Sequence, residues 1–266
     1  MRVDFDFGQN WSDFSRIALT PEKAQSALSE FTDLTRDIDI SGKSFLDIGF
    51  GQGLSLLSAA ALGAKVVGNE INTKCIEAIE VSSQYFPEIS LSDISIVIGS
   101  ILDKTVVDEI KRESPNGYGF DIVHSWGVLH HTGAMRDAIR NAAALVSPGG
   151  YFILALYNRH WTSPIWTWIK TLYNKSPAPI RKLLIRFFYP IVWTAKLFVT
   201  RKNPKRQSRG MDFYYNLVDW IGGYPYEYIS IDKVDSVIKE LGFKKINTKP
   251  CQVPTGCNEF VFQKFK

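Results

Sequence analysis

The sequence predicts an α/β protein built on a doubly wound parallel sheet, and three observations carry that expectation. Short apolar runs alternate with helical patterns five times between residues 40 and 157, the pattern of parallel strands joined by crossover helices. The first run, Phe45-Leu46-Asp47-Ile48, enters a loop with glycine at 49, 51 and 53 and leaves as a helix patterned by Leu54, Leu56, Leu57, Ala60 and Leu62. Polar groups suited to a ligand (Asp47, Glu70, Ser100 and the pair Ser125–Trp126) fall at successive strand ends. Open α/β sheets bind ligands at those ends.

Taken in order, residues 1–20 are aromatic and Asp-rich, with Phe5, Phe7, Trp11 and Phe14. They read as an arm pinned to the core by its aromatics, or as a flap over the ligand site. Thr20-Pro21 is an N-cap followed by proline at the first helical position, which predicts a helix over about 21–37. The glycine loop opens onto a helix N-terminus, where unpaired N–H groups favour an anionic group. A dinucleotide fingerprint counted from Gly49 needs its third glycine at position 54, which is Leu54. The strand Ala64–Glu70 ends in an acid, placed after the loop where nucleotide folds put a carboxylate on ribose hydroxyls. A helix over about 73–86 leads to the strand before Gly99-Ser100-Ile101. Phe120–Val123 is the fourth strand, followed by Ser125-Trp126, His130-His131 and a helix over about 134–146. Val146-Ser147-Pro148-Gly149-Gly150 reads as a turn feeding the fifth strand.

The spacing Asp47-x-Gly49-x-Gly51-x-Gly53 resembles motif I of the class I S-adenosylmethionine (SAM) methyltransferases. Together with Ser125-Trp126-Gly127-Val128-Leu129-His130-His131 and Ser147-Pro148-Gly149-Gly150-Tyr151, the chain is similar to a bacterial branch near the quinone O-methyltransferases. The likeness extends to Phe7-Gly8-Gln9-Asn10-Trp11 and to the stretch 217–227. The resemblance implies a Rossmann-like, seven-stranded sheet whose last strand is antiparallel, with a helical insertion after the fifth strand. It implies SAM as cofactor and S-adenosylhomocysteine (SAH) as product. In that family the glycine loop lies under the amino-acid part of SAM, and a carboxylate at Asp47 serves its ammonium. Glu70 would take the ribose, with Ile71, Ile101 and Trp126 beside the cofactor and Trp11 facing the sulfonium by cation–π attraction. The family often reads the adenine amino group with an acid after the third strand's glycine; this chain has Ser100 there. Four segments follow: an N-terminal arm and helix (1–39), the SAM-binding core (40–157), the insertion (158–225), and a helix and strands completing the core (226–266).

The insertion is basic and aromatic. Residues 138–211 hold no Asp or Glu, and five of the seven tryptophans (161, 166, 168, 193, 220) lie within it. Residues 159–209 carry twelve Lys and Arg against a formal net charge of +4 for the whole chain, which leaves the remainder at −8. Pro164–Tyr173 and Pro179–Val199 read as helices, the second interrupted at Pro190. Three uses fit such a segment: a lid or homodimer interface, a membrane contact, or nucleic-acid binding through Arg181, Lys182, Arg186 and Lys196 interleaved with aromatics, while the basic run Arg201, Lys202, Lys205 and Arg206 reads as a solvated loop or a phosphate contact. The N-terminus has no apolar signal core and no uncharged apolar run reaches the ~18–20 residues a bilayer span needs, so a cytoplasmic protein, either soluble or peripheral to the inner face of the membrane, is expected.

Methyl transfer to a hydroxyl requires removal of a proton, and His131 or His130, after the fourth strand, has the right chemistry for the base. Tyr157, Asn158, Asp212, Asp219, Trp220 and Glu227 are the candidates for the acceptor wall. No metal cluster is expected. The predicted activity is O-methylation of a small or lipid-linked acceptor, a quinol, phenol or glycan. An RNA methyltransferase and a non-catalytic SAM-binding protein are the alternatives.

Overall fold

The structure, a computed structural model, describes residues 5–115, 117–204 and 209–266. The strands are β1 (Ser44–Ile48), β2 (Lys65–Glu70), β3 (Ser95–Ile98), β4 (Phe120–Trp126), β5 (Val146–Tyr157), β6 (Phe243–Lys249) and β7 (Cys257–Lys264). They form one sheet in the order β3-β2-β1-β4-β5-β7-β6. The first five run parallel, and β7 is antiparallel to both its neighbours. The chain winds outward from β1 through β2 to β3, then returns to start β4 beside β1. The gap between those two strands' carboxyl ends is the topological switch point, where a ligand cleft forms.

Helices α1 (Phe7–Ile17), α2 (Pro21–Leu34), α3 (Leu54–Ala61) and α4 (Lys74–Ser83) contribute to one face. Phe14, Phe31, Leu56 and Ile79 are buried there with Phe45 and Ile122 of the sheet. The other face is covered by α5 (Lys104–Arg112), α6 (Met135–Ala144) and α10 (Ile231–Glu240), through Ile110, Ile139 and Ile238. The insertion builds α7 (Ser163–Lys175), α8 (Ala178–Thr200) and α9 (Phe213–Gly222), whose small core is Ile169, Tyr173, Ile185, Leu217 and Ile221.

Several elements differ from expectation. The arm is largely helix α1, because Asp6 caps it by accepting from the Gln9 N–H (3.0 Å). The helix expected over 21–37 ends at Leu34, and those expected over 73–86 and 134–146 each start a residue later and end two or three residues sooner. Helix α8 runs through Pro190 without interruption. Pro190 lies on the solvent side, where water can serve the carbonyl that loses its donor. The expected turn at Ser147–Gly150 is absorbed into β5 by a register shift, with Phe120 opposite Val146 but Ile122 opposite Tyr151. Lys205 and Arg206 of the basic run lie outside the described residues. Among the described residues one helix, α8, is long and apolar enough to cross a membrane by length and composition.

Candidate active site

A cavity of about 340 Å³ opens at the switch point, within the range that takes a small-molecule ligand. Its floor is the loop between β1 and α3. Gly49 (φ +72°) and Gly53 (φ +81°) adopt left-handed backbone, and a Cβ at either would fall about 2.5 Å from Val128 or 2.4 Å from Ile79. Only glycine therefore lets this loop lie flat between β4's exit and α4. Gly53 caps α3 without lining the cavity; Gly49 and Gly51 line it.

Parallel pairing sets Asp47 opposite His124, and the side chains meet: His124 Nδ1 lies 2.7 Å from Asp47 Oδ1, both fully buried at the cavity floor. Phe31 and Phe45 flank the imidazole at 5.8 Å. His124 was not expected here; its signal is the strand register, which the sequence alone does not fix.

Glu70, at the end of β2, faces the cavity and is nearly buried. Its carboxylate accepts from the Gly51 N–H (3.1 Å), the Ile71 N–H (2.8 Å) and the Asn72 N–H (3.2 Å). Burial pushes its carboxyl above the usual range, against the pull of those amides. Ile71, Ser100 and Ile101 line the same end, and Ser100 Oγ accepts from the Leu102 N–H (3.2 Å). Ser125 lies outside the cavity wall: its hydroxyl donates to the Ile48 carbonyl (3.0 Å), stitching β4 to β1. Trp126 lines the cavity with its indole N–H held by Glu259 (2.9 Å).

Helix α1 and the residues just ahead of it supply the roof. Phe5, Phe7 and Trp11 all reach the cavity, and Trp11 lies over Gly51, 3.2 Å from where a Cβ would sit. Asp6 ties the roof to the sheet edge through Lys74 Nζ (2.6 Å) and Asn72 Nδ2 (2.8 Å), and the Phe5 N–H bonds the Tyr224 carbonyl (3.2 Å).

The insertion supplies the remaining wall, by residues other than most of those expected. Arg209 stacks on Trp126 (4.3 Å to the ring centre), donates to Ser55 Oγ (3.0 Å), and its backbone N–H holds Glu30 (2.8 Å). It is a nearly buried cation beside the glycine loop, and the sequence marked it only as one of twelve basic residues. Asp219 lines the cavity, and its Oδ1 has no hydrogen-bond partner among the described residues. Burial pushes the Asp219 carboxyl up and the Lys170 ammonium down, each opposed by the other's charge. Lys170 is wholly buried, donates to the Trp220 carbonyl, and faces the rings of Tyr226 (4.7 Å) and Tyr157 (5.6 Å).

Four expected acceptor residues do not line the cavity, because each serves the fold. Asn158 bonds the Pro254 carbonyl and the Asn258 amide. Asp212 caps α9 and pairs with Lys23 (3.2 Å). Trp220 packs its ring on Trp166 at 3.8 Å between centres. Glu227 accepts from the Met135 N–H at the start of α6 (3.0 Å). Tyr157 does line it, buried at the end of β5.

The two histidines are not equivalent. His130 also lines the cavity but is wholly buried, and its Nδ1 accepts the Tyr157 N–H (3.3 Å), so its proton sits on Nε2 and no lone pair is left to take another. His131 reaches the cavity, and its Nδ1 donates to the Pro225 carbonyl (2.6 Å), which leaves the Nε2 lone pair available. Removal from water and the nearby Lys170 charge pull His131 down to about 3, so it is neutral at physiological pH.

A family model described as a methyltransferase domain matches residues 21–244. Ubiquinone biosynthesis O-methyltransferase of Burkholderia orbicola (strain MC0-3) is 32% identical over 140 residues, 53% of this chain and 55% of that protein. The protein of the same name from Chromobacterium violaceum is 28% identical over 129 residues, 48% of this chain and 50% of its own length. The chain thus spans about half the length of the curated relatives it matches. Among solved structures, magnesium protoporphyrin IX methyltransferase from Synechocystis PCC 6803 with bound SAH superposes with a TM-score of 0.54 at 15% identity. That alignment covers 91% of this chain and 83% of that one. At such identity the likeness speaks for the fold.

Proposed function

The chain belongs to the methyltransferase-domain family and is a SAM-dependent methyltransferase of class I, near the quinone O-methyltransferases, and from that premise we propose that it methylates an acidic hydroxyl, a phenol or quinol, on an apolar acceptor. The residues present suit SAM. The flat glycine loop that a Cβ would fill admits its methionine part, Asp47 offers charge to the ammonium and Arg209 to the carboxylate. Glu70 faces the position suited to a ribose diol. Bound there, SAM supplies an electrophilic methyl group.

The observation that carries the acceptor class is the state of His131. A neutral ring locked by Pro225 presents Nε2 as a proton acceptor, but a base pulled down to about 3 is a weak one. Proton transfer is efficient when acid and base are matched, so a weak base suits an oxygen that is itself acidic. A phenol near pKa ~10 lies well below a sugar hydroxyl and so asks less of such a base. Phe7 (4.7 Å) and Tyr157 (5.5 Å) surround the His131 ring, giving the acceptor an aromatic, water-poor slot. The unpartnered Asp219 Oδ1 can accept from a second hydroxyl and so orient a diol-type ring. The ubiquinone-pathway names of the relatives support the same class.

Transfer of labelled methyl to a series of catechols and hydroquinones of graded acidity, with sugars as controls, tests the reading. Phenols should be methylated and sugars not. His131→Gln should lower kcat by roughly 10²–10⁴, with the largest loss for the least acidic phenol. Sugar turnover comparable to phenol turnover, or a loss independent of phenol acidity, would reject it.

A further inference from the structure

The insertion turns two apolar stripes outward. On α7, Ile165, Trp168 and Leu172 recur at three- and four-residue spacing, with Trp161 just ahead of the helix; on α8, Ile180, Leu183, Phe187 and Ile191 do the same, and Phe198 follows two turns on. Their exposure is extreme for such side chains, at 77% for Trp161, 66% for Trp168, 59% for Phe187 and 81% for Phe198. Monomeric proteins rarely leave so large an apolar surface bare. The stripe is not the inner side of a misplaced core, because both helices already pack inward through Ile169, Tyr173 and Ile185 onto Leu217 and Ile221.

We propose that this face lies on an anionic lipid bilayer, α7 and α8 resting in its interface. Charge selects this partner. Lys175, Lys182, Arg186, Arg201 and Lys202 are exposed around the stripes, and no carboxylate occurs between residues 138 and 211. A second copy meeting this face across a two-fold axis would set these cations against their own counterparts with no acid in the segment to pair them. An RNA surface would match the charge, but the aliphatic members Ile180, Leu183 and Ile191 offer bases nothing to stack on. Anionic headgroups answer both features, taking the cations at the headgroup level and the apolar stripe below it. Although α8 is long enough to span, its inner side is packed against α9 through Leu184, Ile185 and Phe188, so it lies along the surface with only its outer stripe immersed. Helix α7 stands between that surface and the cavity, its inner Lys170 facing Tyr157 of the cavity wall. An apolar acceptor held in the bilayer would thus meet the site across one helix.

The proposal rests on the acceptor reading only for what the membrane delivers; the surface itself is tested without SAM or acceptor. The whole protein is sedimented with phosphatidylcholine vesicles containing half phosphatidylglycerol, and with phosphatidylcholine alone, at low and high salt. Co-sedimentation is expected with the anionic vesicles only, weakened by salt. Phe187→Ser and Phe198→Ser should each weaken it by roughly tenfold or more, while methylation of a soluble phenol is unchanged. Lys182→Gln with Arg186→Gln should reduce it and flatten its salt dependence. Absence of co-sedimentation at low salt, equal binding to neutral vesicles, a salt-resistant dimer in sedimentation velocity that Phe187→Ser dissolves, or competition of single-stranded RNA for the same residues would each overturn it.

Discussion

His130 and His131 are adjacent in sequence and opposite in use, because one backbone bond on each ring decides which nitrogen carries the proton. Their shared burial has a measurable consequence for stability. His131 in the folded state lies near 3, below its ordinary value of 6.5, so on acidification the unfolded chain takes up the proton first. Its contribution is complete above pH 6.5 and is lost as pH falls toward 3. Glu70 and Asp219, raised by burial, act in the opposite sense over part of that range. The effect is therefore read as a difference between proteins. Urea unfolding of wild type should lose stability on acidification more steeply than His131→Gln, the difference rising to about 1.4 kcal/mol per pH unit between pH 5.5 and 4.5. Equal slopes would mean that His131 is as protonatable folded as unfolded.

At the scale of elements, α8 departs most from expectation. A proline inside a helix removes one hydrogen bond and crowds the preceding turn, yet Ala178–Thr200 is continuous, with Thr194 Oγ1 donating to the Pro190 carbonyl (2.7 Å). Leu184, Ile185 and Phe188, just before the proline, pack on α9 and help offset that cost. Pro190→Ala should then stabilise the protein by about 1–3 kcal/mol, somewhat offset by the freer unfolded chain. An unchanged or lowered unfolding midpoint would show that the helix here uses proline to set its shape. Helix α1 poses the opposite case. Its aromatics were legible, but its helicity depends on Asp6 as a cap and on docking against α4, contacts made across sixty residues.

For the whole molecule, the cavity is assembled from three parts distant in sequence: the sheet's switch point, the α1 roof and the insertion wall. A ligand that touches all three should bind them together, so SAH at a hundredfold its Kd should raise stability by about 2.7 kcal/mol. Asp6→Ala removes the roof's cap and its exposed tie to Lys74. Such groups are worth only about 1–2 kcal/mol to folding in all. The variant should keep a near-wild-type unfolding midpoint without ligand and bind SAH several-fold more weakly by calorimetry. Undiminished affinity would make the roof a passive cover.

The sheet and the floor of the site were legible in the sequence because they follow from local rules. Alternating apolar runs fix strands and helices, Gly49 and Gly53 are demanded by backbone geometry, and strand ends point to the ligand. On those grounds Asp47 and Glu70 could be placed before any coordinates. The resemblance in motif I and around His130–His131 pointed to the same cofactor class that the family match shows. What the sequence left open was His124 within the floor and the wall that faces it. Asp212, Glu227, Asn158 and Trp220 share the composition of acceptor residues, yet the folded insertion uses them for caps, bridges and packing, whereas Arg209, His124 and Asp219 face inward. Distinguishing them needs the register of β1 on β4 and the turn of α9 over the cleft, and both are set by contacts between residues far apart in the chain. Residue type and spacing determine what a segment is; only tertiary packing decides which of its side chains turns toward the ligand.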